Sequence, residues 1–531
     1  MKKRMADGTV KVKLESPGVD RLGGLPDDML GHILGFLPTP LAVRATQLSR
    51  RWRRLWPAHV LALNLSVRNC TNRGVGVTFP RLCTEALSRF PTFDIPSISL
   101  EFGRHVYIAE ANTWYPEAME RAAGSVRVTV PRGVVRLELP RFTRAESLNL
   151  TLHHGVYLEL PAAGDDPVRF DRLTELVLAT VRLPAGTPPL HDFLSSCCPR
   201  LRKLRLCRLR GGEATRELVL RSDALEALDV DNVDGLTRLD VAAPNLRSLS
   251  VRSCFRYPIT ATETETDVVV SAPRVESVCW YRSYPKRLIF RADGTLTRVR
   301  RLSGLKLATL GRSDQFDYPY TKQLLQACSL TTEYLELDLL LPDEMTLLNW
   351  LGPEARASSS CEDLVTYVPK LPRVTVLSLT VRWGIHANVV PCLASLLSRV
   401  PSVTTLYVDS APYCITVLQS TLPQRGEYRW GRALCGDQKM SLDSLREVSV
   451  RGLRGTDAQE CKLVDFLLGA VSPSTNRISL AFRDGTAEHT VDEIAAELPT
   501  NFPIATPGRW AKMVRSNGLE LTKRTSDASI R

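Results

Sequence analysis

The sequence carries no Gly-x-x-x-x-Gly-Lys phosphate loop, no nucleophile elbow and no His-Glu-x-x-His pair. These gaps remove the usual signatures of nucleotide, acyl-transfer and zinc-hydrolase chemistry. Its thirteen cysteines include no Cys-x-x-Cys pair and no histidine spacing suited to zinc. Their odd number and scatter point to reduced thiols acting as small core residues. No apolar run approaches the roughly 18 residues of a membrane span. The opening Met1-Lys-Lys-Arg4 lacks the apolar core of a secretory signal, so an intracellular protein of nucleus or cytoplasm is expected. The sequons at Asn64, Asn69 and Asn149 then have no bearing. Aromatics are only 7% of the chain, with no stacking platform for single-stranded nucleic acid.

What remains is a 531-residue chain with 44% hydrophobic and 24% charged residues, the composition of a folded protein. The formal net charge is +12, most of it scattered arginine. The densest cluster, Arg50-Arg51-Trp52-Arg53-Arg54, reads as the wet side of a short amphipathic helix. Nuclear import through it, or through Lys2-Lys3-Arg4, is the sharper alternative.

The first patterned stretch runs from Asp20 to Trp56. Pro26 suits the first position of a helix, where its missing N–H costs nothing. Asp27 and Asp28 follow at the positive end of the helix dipole. Met29, Leu30, Ile33, Leu34 and Leu37 recur at helical period, and Pro38 ends the run. Thr39 and Pro40 open a second helix with Leu41, Val43 and Leu48 on its apolar side. Ser49 caps a third, carrying Trp52, Leu55 and Trp56. A unit this small buries little apolar surface alone, so its greasy face needs the rest of the chain or another protein.

These positions resemble an F-box: Leu25-Pro26, the acidic pair, Ile33-Leu34, Leu37, Val43 and Leu48-Ser49-Arg50-Arg51-Trp52. Pro40-Leu41 departs from the charged residue many members have there, leaving the apolar spacing intact. The resemblance implies binding to the Skp adaptor of Skp–cullin–F-box ubiquitin ligases. It implies a contact face of Leu25, Pro26, Leu30, Ile33, Leu34, Leu37, Val43, Leu48 and Trp52. Leu34 and Trp52 are its expected anchors, because large buried side chains dominate interfaces.

Downstream, Val60–Leu65 and Ile95–Leu100 read as strands, and Cys83–Phe90 between them as a helix. From about residue 131 one spacing recurs: apolar-x-x-apolar-x-apolar. Copies stand at Val134/Leu137/Leu139, Ala145/Leu148/Leu150, Leu173/Leu176/Leu178, Leu201/Leu204/Leu206 and Leu225/Leu228/Val230. Others follow at Leu236/Leu239/Val241, Leu246/Leu249/Val251, Val275/Val278/Trp280, Val374/Leu377/Leu379, Val403/Leu406/Val408 and Leu445/Val448/Val450. Starts such as 145, 173 and 201 lie about 28 residues apart, at the upper range of leucine-rich repeats. No single repeat can cover its own apolar strand face, so neighbours stack into a continuous core. The closer trio at 225, 236 and 246 predicts that Leu236–Val241 is a strand on the outer, convex side, replacing a helix. Between 290 and 370 the period loosens; a helix is expected at Tyr320–Cys328 and a polar loop at Ala355–Glu362.

Near the end, a strand at Leu445–Val450, a helix at Glu460–Val471 and a strand at Asn476–Phe482 resemble the FBD module of plant F-box/leucine-rich-repeat proteins. Physically this module would cap the last repeat. A short helix at Asp492–Leu498 and a polar tail follow. His153-His154 and Cys197-Cys198 read as structural. Asp229, Asp231 and Asp234 lack the glycine and closing glutamate of a calcium loop, and read as turn residues serving backbone groups.

The expected fold is α/β: a three-helix F-box, then an irregular leucine-rich-repeat solenoid with an FBD-like cap. The expected segments are a flexible tail at 1–19, the F-box at 20–60 and the solenoid at 61–440. The cap follows at 441–490 and a tail at 491–531. The expected role is non-enzymatic and cofactor-free: a substrate receptor joining a substrate protein to the Skp adaptor and, through it, a cullin. A repeat scaffold outside any ligase is the alternative. Nucleic acid binding through Arg202, Arg205, Arg208 and Arg210 is a third, weaker reading.

Overall fold

Alternation of apolar and polar side chains over five to eight residues, repeated along the chain, builds parallel strand ladders in the computed structural model. It describes residues 22–37, 49–59, 62–66, 94–102, 111–130, 135–161, 168–255, 265–291, 296–308, 319–341, 368–383, 389–411, 442–498 and 511–524, short gaps within these apart, with Ala45 and Leu87. Contacts divide the chain into one unit of Met1–Tyr157 with Pro161–Arg172, and another of Leu158–Leu160 with Leu173–Arg531.

In the first unit, α1 (Asp27–Phe36) and α2 (Arg50–His59) precede β1 (Ala62–Ser66) and β2 (Ile95–Glu101). Then come α3 (Ala111–Arg121), β3 (Ala122–Val130), β4 (Val135–Glu138), β5 (Ser147–Leu152) and β6 (Val156–Glu159). Strands β1, β2, β3 and β5 pair in parallel, aligning Leu63, Ile98, Val126 and Leu148 in one row and Leu65, Leu100, Val128 and Leu150 in the next. All eight are buried. The opposite face carries polar side chains, with Ser97, Ser125 and Ser147 in one row and Ser99, Arg127 and Asn149 in the next. The predicted second helix after Thr39 and the predicted helix at Cys83–Phe90 lie outside the described residues, apart from Ala45 and Leu87.

The second unit begins with β7 (Glu175–Ala179), α4 (Leu190–Cys197), β8 (Lys203–Cys207), α5 (Glu213–Arg216), β9 (Glu217–Arg221) and β10 (Ala227–Asp231). It continues through β11 (Arg238–Ala242), β12 (Ser248–Arg252), β13 (Asp267–Ser271), β14 (Ser277–Tyr281), β15 (Arg287–Phe290) and β16 (Arg301–Ala308). Next are α6 (Pro319–Ala327), β17 (Tyr334–Leu341), β18 (Val376–Trp383), α7 (Val389–Leu397) and β19 (Thr405–Ser410). The last are β20 (Glu447–Leu453), α8 (Ala458–Gly469), β21 (Arg477–Phe482), α9 (Glu488–Glu497), β22 (Ala511–Arg515) and β23 (Gly518–Arg524).

Strands β7, β8, β10, β12, β14 and β16 to β21 form one parallel ladder. Its register puts Leu176, Leu204, Leu228, Leu249, Val278 and Leu302 in one inward row, continued by Leu335, Leu377, Leu406, Val448 and Ile478. Each buried leucine contributes roughly 1.5–3 kcal/mol. The polar loop expected at Ala355–Glu362 lies outside the described residues.

A second parallel sheet, β9–β11–β13–β15, occupies the return side of four successive repeats. The sequence pattern predicts only the β11 member. Strands β9 and β13 carry the same two inward apolar residues, Leu218 and Leu220 or Val268 and Val270, but no leading leucine. Helices flank the sheet: His191 of α4 bonds the Glu217 carbonyl at β9, and Gln323 of α6 donates to the Leu288 carbonyl at β15. Across it, Glu217, Arg238, Asp267 and Arg287 stand opposite one another with alternating charge, the arrangement that avoids like-charge repulsion between strands.

The far end also differs from expectation. The cap strands and helix are present, and α8 is anchored by buried Glu460. Glu460 accepts the Ser410 hydroxyl at 3.0 Å and the backbone N–H groups of Arg454 and Gly455 at 2.8 and 3.0 Å. The expected polar tail instead contributes the β22–β23 hairpin, and β23 pairs antiparallel with β21.

Five left-handed residues stack beside the ladder. Thr180, Arg208, Asn232, Ser253 and Arg282 follow β7, β8, β10, β12 and β14 with φ of 46–57°. The first four each donate their N–H to the last residue of the next strand. This conformation costs a non-glycine residue roughly 1–2 kcal/mol, and β-branched Thr180 also has a buried hydroxyl without a partner. Thr180→Gly is expected to raise stability by about 1 kcal/mol, less the extra chain entropy glycine brings. A lower denaturation midpoint would contradict this account.

Asp240, buried in β11, receives both Arg221 Nη atoms at 2.8 Å and Arg238 at 3.2 Å. These bonds, Arg221's first, hold its carboxyl below the ordinary 3.8. A lowered folded-state pKa contributes stability above the unfolded pKa and loses it as pH falls through the folded one. Asp240→Asn should therefore cost about 1–3 kcal/mol at neutral pH, and the difference from wild type should shrink in acid. Denaturant titrations at pH 7 and below pH 3 measure both.

Candidate interaction surface on the helix pair

Pro26 precedes α1, and its carbonyl accepts the Leu30 N–H at 3.1 Å. Ser49 caps α2 as predicted, its hydroxyl accepting the Trp52 N–H at 3.2 Å. Arg51 ties the helices together: Nε donates to Asp27 at 2.7 Å and Nη2 to the Leu25 carbonyl at 2.5 Å. Both charges are partly solvated, so the ion pair itself is worth about 0.2–1 kcal/mol. Apolar burial contributes more. Leu30 and Leu34 of α1 are 0% exposed, and Leu55 of α2 is 2% exposed.

The contact face expected from the sequence therefore divides. Leu30 and Leu34 are buried within the chain. Leu25, Ile33, Leu37 and Trp52 are half-buried, and Pro26 is exposed. Val43 and Leu48 lie outside the described residues. What α1 presents to solvent is Met29 at 55% and Phe36 at 76% exposure, with half-buried Ile33 between them at i, i+4 and i+7. Leu22 adds a further exposed apolar side chain at 53%. The His32 ring packs edge-on to Phe36 at 4.8 Å. Phe36 escapes the sequence pattern because a period of 3.6 reads as one stripe; the helix carries two, about 100° apart, and Leu22 lies before it. Met29, in that single stripe, belongs to the outward one.

Among the described residues, no group of three His, Cys, Asp or Glu could hold a metal ion. Asp229 and Asp231 do not serve turns. Asp229 pairs with Arg205 and Arg252 at 3.2 and 2.9 Å, and Asp231 stands 3.6 Å from Arg252. Arg202 faces Glu226 at 3.8 Å, so two of the arginines considered for nucleic acid are already neutralised. Cys198 caps α4, and burial pushes its thiol up to about 12, far from a reactive thiolate. His153 is half-buried at the exit of β5, and His154 lies outside the described residues. No described helix is long and apolar enough to cross a membrane.

Comparison with known proteins adds two matches. Residues 22–61 match the F-box domain family, and residues 145–319 match the LRR repeats of the family described by FBD-associated F-box protein At5g56370. Among Arabidopsis thaliana relatives, F-box/FBD/LRR-repeat protein At5g56420 is 26% identical over 314 residues, covering 54% of this chain and 65% of that protein. FBD-associated F-box protein At3g52670 is 24% identical over 251 residues, covering 43% and 58%. Putative F-box/LRR-repeat protein At5g02700 is 56% identical over 39 residues, covering 7% and 9%. In each of these three the match spans less than two thirds of the relative's length.

Leu34→Asp should destabilise the helix pair by more than about 3 kcal/mol, because it buries a charge without a partner. Phe36→Asp at an exposed position should change stability by less than about 0.5 kcal/mol. Limited proteolysis across residues 22–60 separates the two outcomes.

Proposed function

From an F-box at residues 22–61 and FBD-associated leucine-rich repeats at 145–319, we propose that this chain is the substrate receptor of a Skp–cullin–F-box ubiquitin ligase. The observation that carries the reading is the outward apolar stripe of α1, Met29, Ile33 and Phe36, on a helix pair whose Leu30, Leu34 and Leu55 are buried. In this reading Thr39–Leu48 is the second helix of a three-helix F-box, bringing Val43 and Leu48 to the same adaptor. Trp52, half-buried on α2, borders the contact. The strand ladders are a leucine-rich solenoid that holds a substrate protein, and β20 through β23 form its FBD-like cap. The chain brings two proteins together and performs no chemistry; a cullin-bound partner enzyme transfers the ubiquitin. Nucleus or cytoplasm is the proposed setting.

Co-purification of the full chain with a Skp adaptor tests this. Wild type should form a stable 1:1 complex. A Met29→Asp, Phe36→Asp double variant should lose at least tenfold in affinity, about 1.4 kcal/mol or more, with unchanged circular dichroism. A wild-type chain that stays alone would put the scaffold reading in its place.

A further inference from the structure

The outward face of the second unit's ladder is electrically divided. On β8, β10 and β12 its arginines are spent: Arg205 and Arg252 are held by Asp229 and Asp231. From β14 to β20 three arginines behave differently. Arg282 lies over the Tyr281 ring at 5.1 Å, Arg301 over Tyr334 at 3.8 Å and Arg451 over Tyr407 at 5.5 Å. No carboxylate of the described residues is within 4 Å of these guanidiniums.

Two of the pairs belong to one continuous strip. Tyr334 faces Arg301 in register, and Ser378 lies on the next strand, two residues beyond Tyr334's own partner Val376. Ser378 faces Tyr407, and Arg451 covers the Tyr407 ring from the strand beyond. The order Arg301, Tyr334, Ser378, Tyr407, Arg451 thus crosses five adjacent strands diagonally, roughly 19 Å across them at 4.8 Å per strand and about 13 Å along them. Glu336 and Asp409 share the strip. Glu336 stands opposite Ser378, and Asp409 opposite Arg451 without reaching ion-pair distance.

A guanidinium stacked on a tyrosine ring has lost much of its rotamer freedom and still presents its N–H edge outward. That edge matches a carboxylate bidentately, and half-buried tyrosine beside exposed arginine is the composition of interface anchors. We propose that the Arg301–Arg451 strip is a docking surface for an acidic segment of a protein partner, whose carboxylates bond the two guanidiniums while its backbone crosses Tyr334 and Tyr407. This extends the receptor reading by naming a substrate class, and it stands or falls independently of adaptor binding.

The test is a random 12-residue peptide library selected against the full chain, followed by anisotropy measurements with one enriched peptide. Aspartate- and glutamate-rich peptides should be enriched. An Arg301→Gln, Arg451→Gln double variant should bind such a peptide at least tenfold more weakly. Tyr334→Leu, which keeps the charge and removes the platform, should lose about threefold or more. Arg205→Gln, in the self-neutralised half, should bind within twofold of wild type. Unchanged circular dichroism for each variant, and retained peptide binding by Phe36→Asp, separate this surface from folding and from the helix pair. Enrichment of apolar or basic peptides, no enrichment, or equal losses in Arg301→Gln, Arg451→Gln and Arg205→Gln would overturn the proposal.

Discussion

Everything in the second unit depends on one constraint: no strand can bury its inward pair of side chains without a neighbour in register. Leu176, Leu204 and Leu228 are each nearly inaccessible because the next repeat sets the same residue beside them. A one-residue slip of any strand would turn both rows to solvent, so the register is fixed by hydrophobic burial. The left-handed residues from Thr180 to Arg282 follow from that constraint. Each chain must leave its strand at the same height to begin its return, and four of their N–H groups bond the neighbouring strand. Backbone strain is tolerated because the ladder over-determines the position.

The same constraint makes ladder ends costly, and the far end of the second unit shows how that cost is met. Glu460 is buried, and desolvation pushes its carboxyl above the ordinary value, yet two backbone N–H groups and the Ser410 hydroxyl hold it in place. Trp383, also buried, donates to Asp457, the cap of α8. Beyond β21 the direction of pairing reverses, and the β22–β23 hairpin covers the last parallel strand. A reversal of this kind stops the repeat from being extended by another copy.

The inward rows are legible in the sequence because they need only two apolar residues at a fixed spacing, and leucine or valine at those positions has no second meaning. The second sheet is legible only at Leu236–Val241, where the interval of ten or eleven residues is too short for a helical return. At β13 the returning segment reads Asp267-Val-Val-Val-Ser271, which by itself is indistinguishable from any short strand. On α1 periodicity finds the helix, which starts one residue later than expected, with Pro26 just before it. It cannot say which of two stripes faces inward, since that depends on α2 and the Arg51 contact with Asp27 and Leu25. The terminal hairpin is hidden behind a proline-containing stretch.

The outward rows obey a weaker rule, and that is where recognition can reside. Substituting Leu228 disturbs two neighbouring strands, whereas Ser250 or Ser378 can change with little effect on the core. The outward side chains must only avoid like charges facing one another. The first ladder meets that rule with mostly uncharged polar rows such as Ser97, Ser125 and Ser147, and β8 to β12 meet it with Arg–Asp pairs. Arginine stacked on tyrosine meets it differently, because the ring steadies the cation while its hydrogen-bonding edge keeps its capacity. Of the three solutions, only the last leaves a preorganised charge for another molecule. A ladder whose interior sets the register can therefore carry different outward rows, and its specificity is written where the core does not reach.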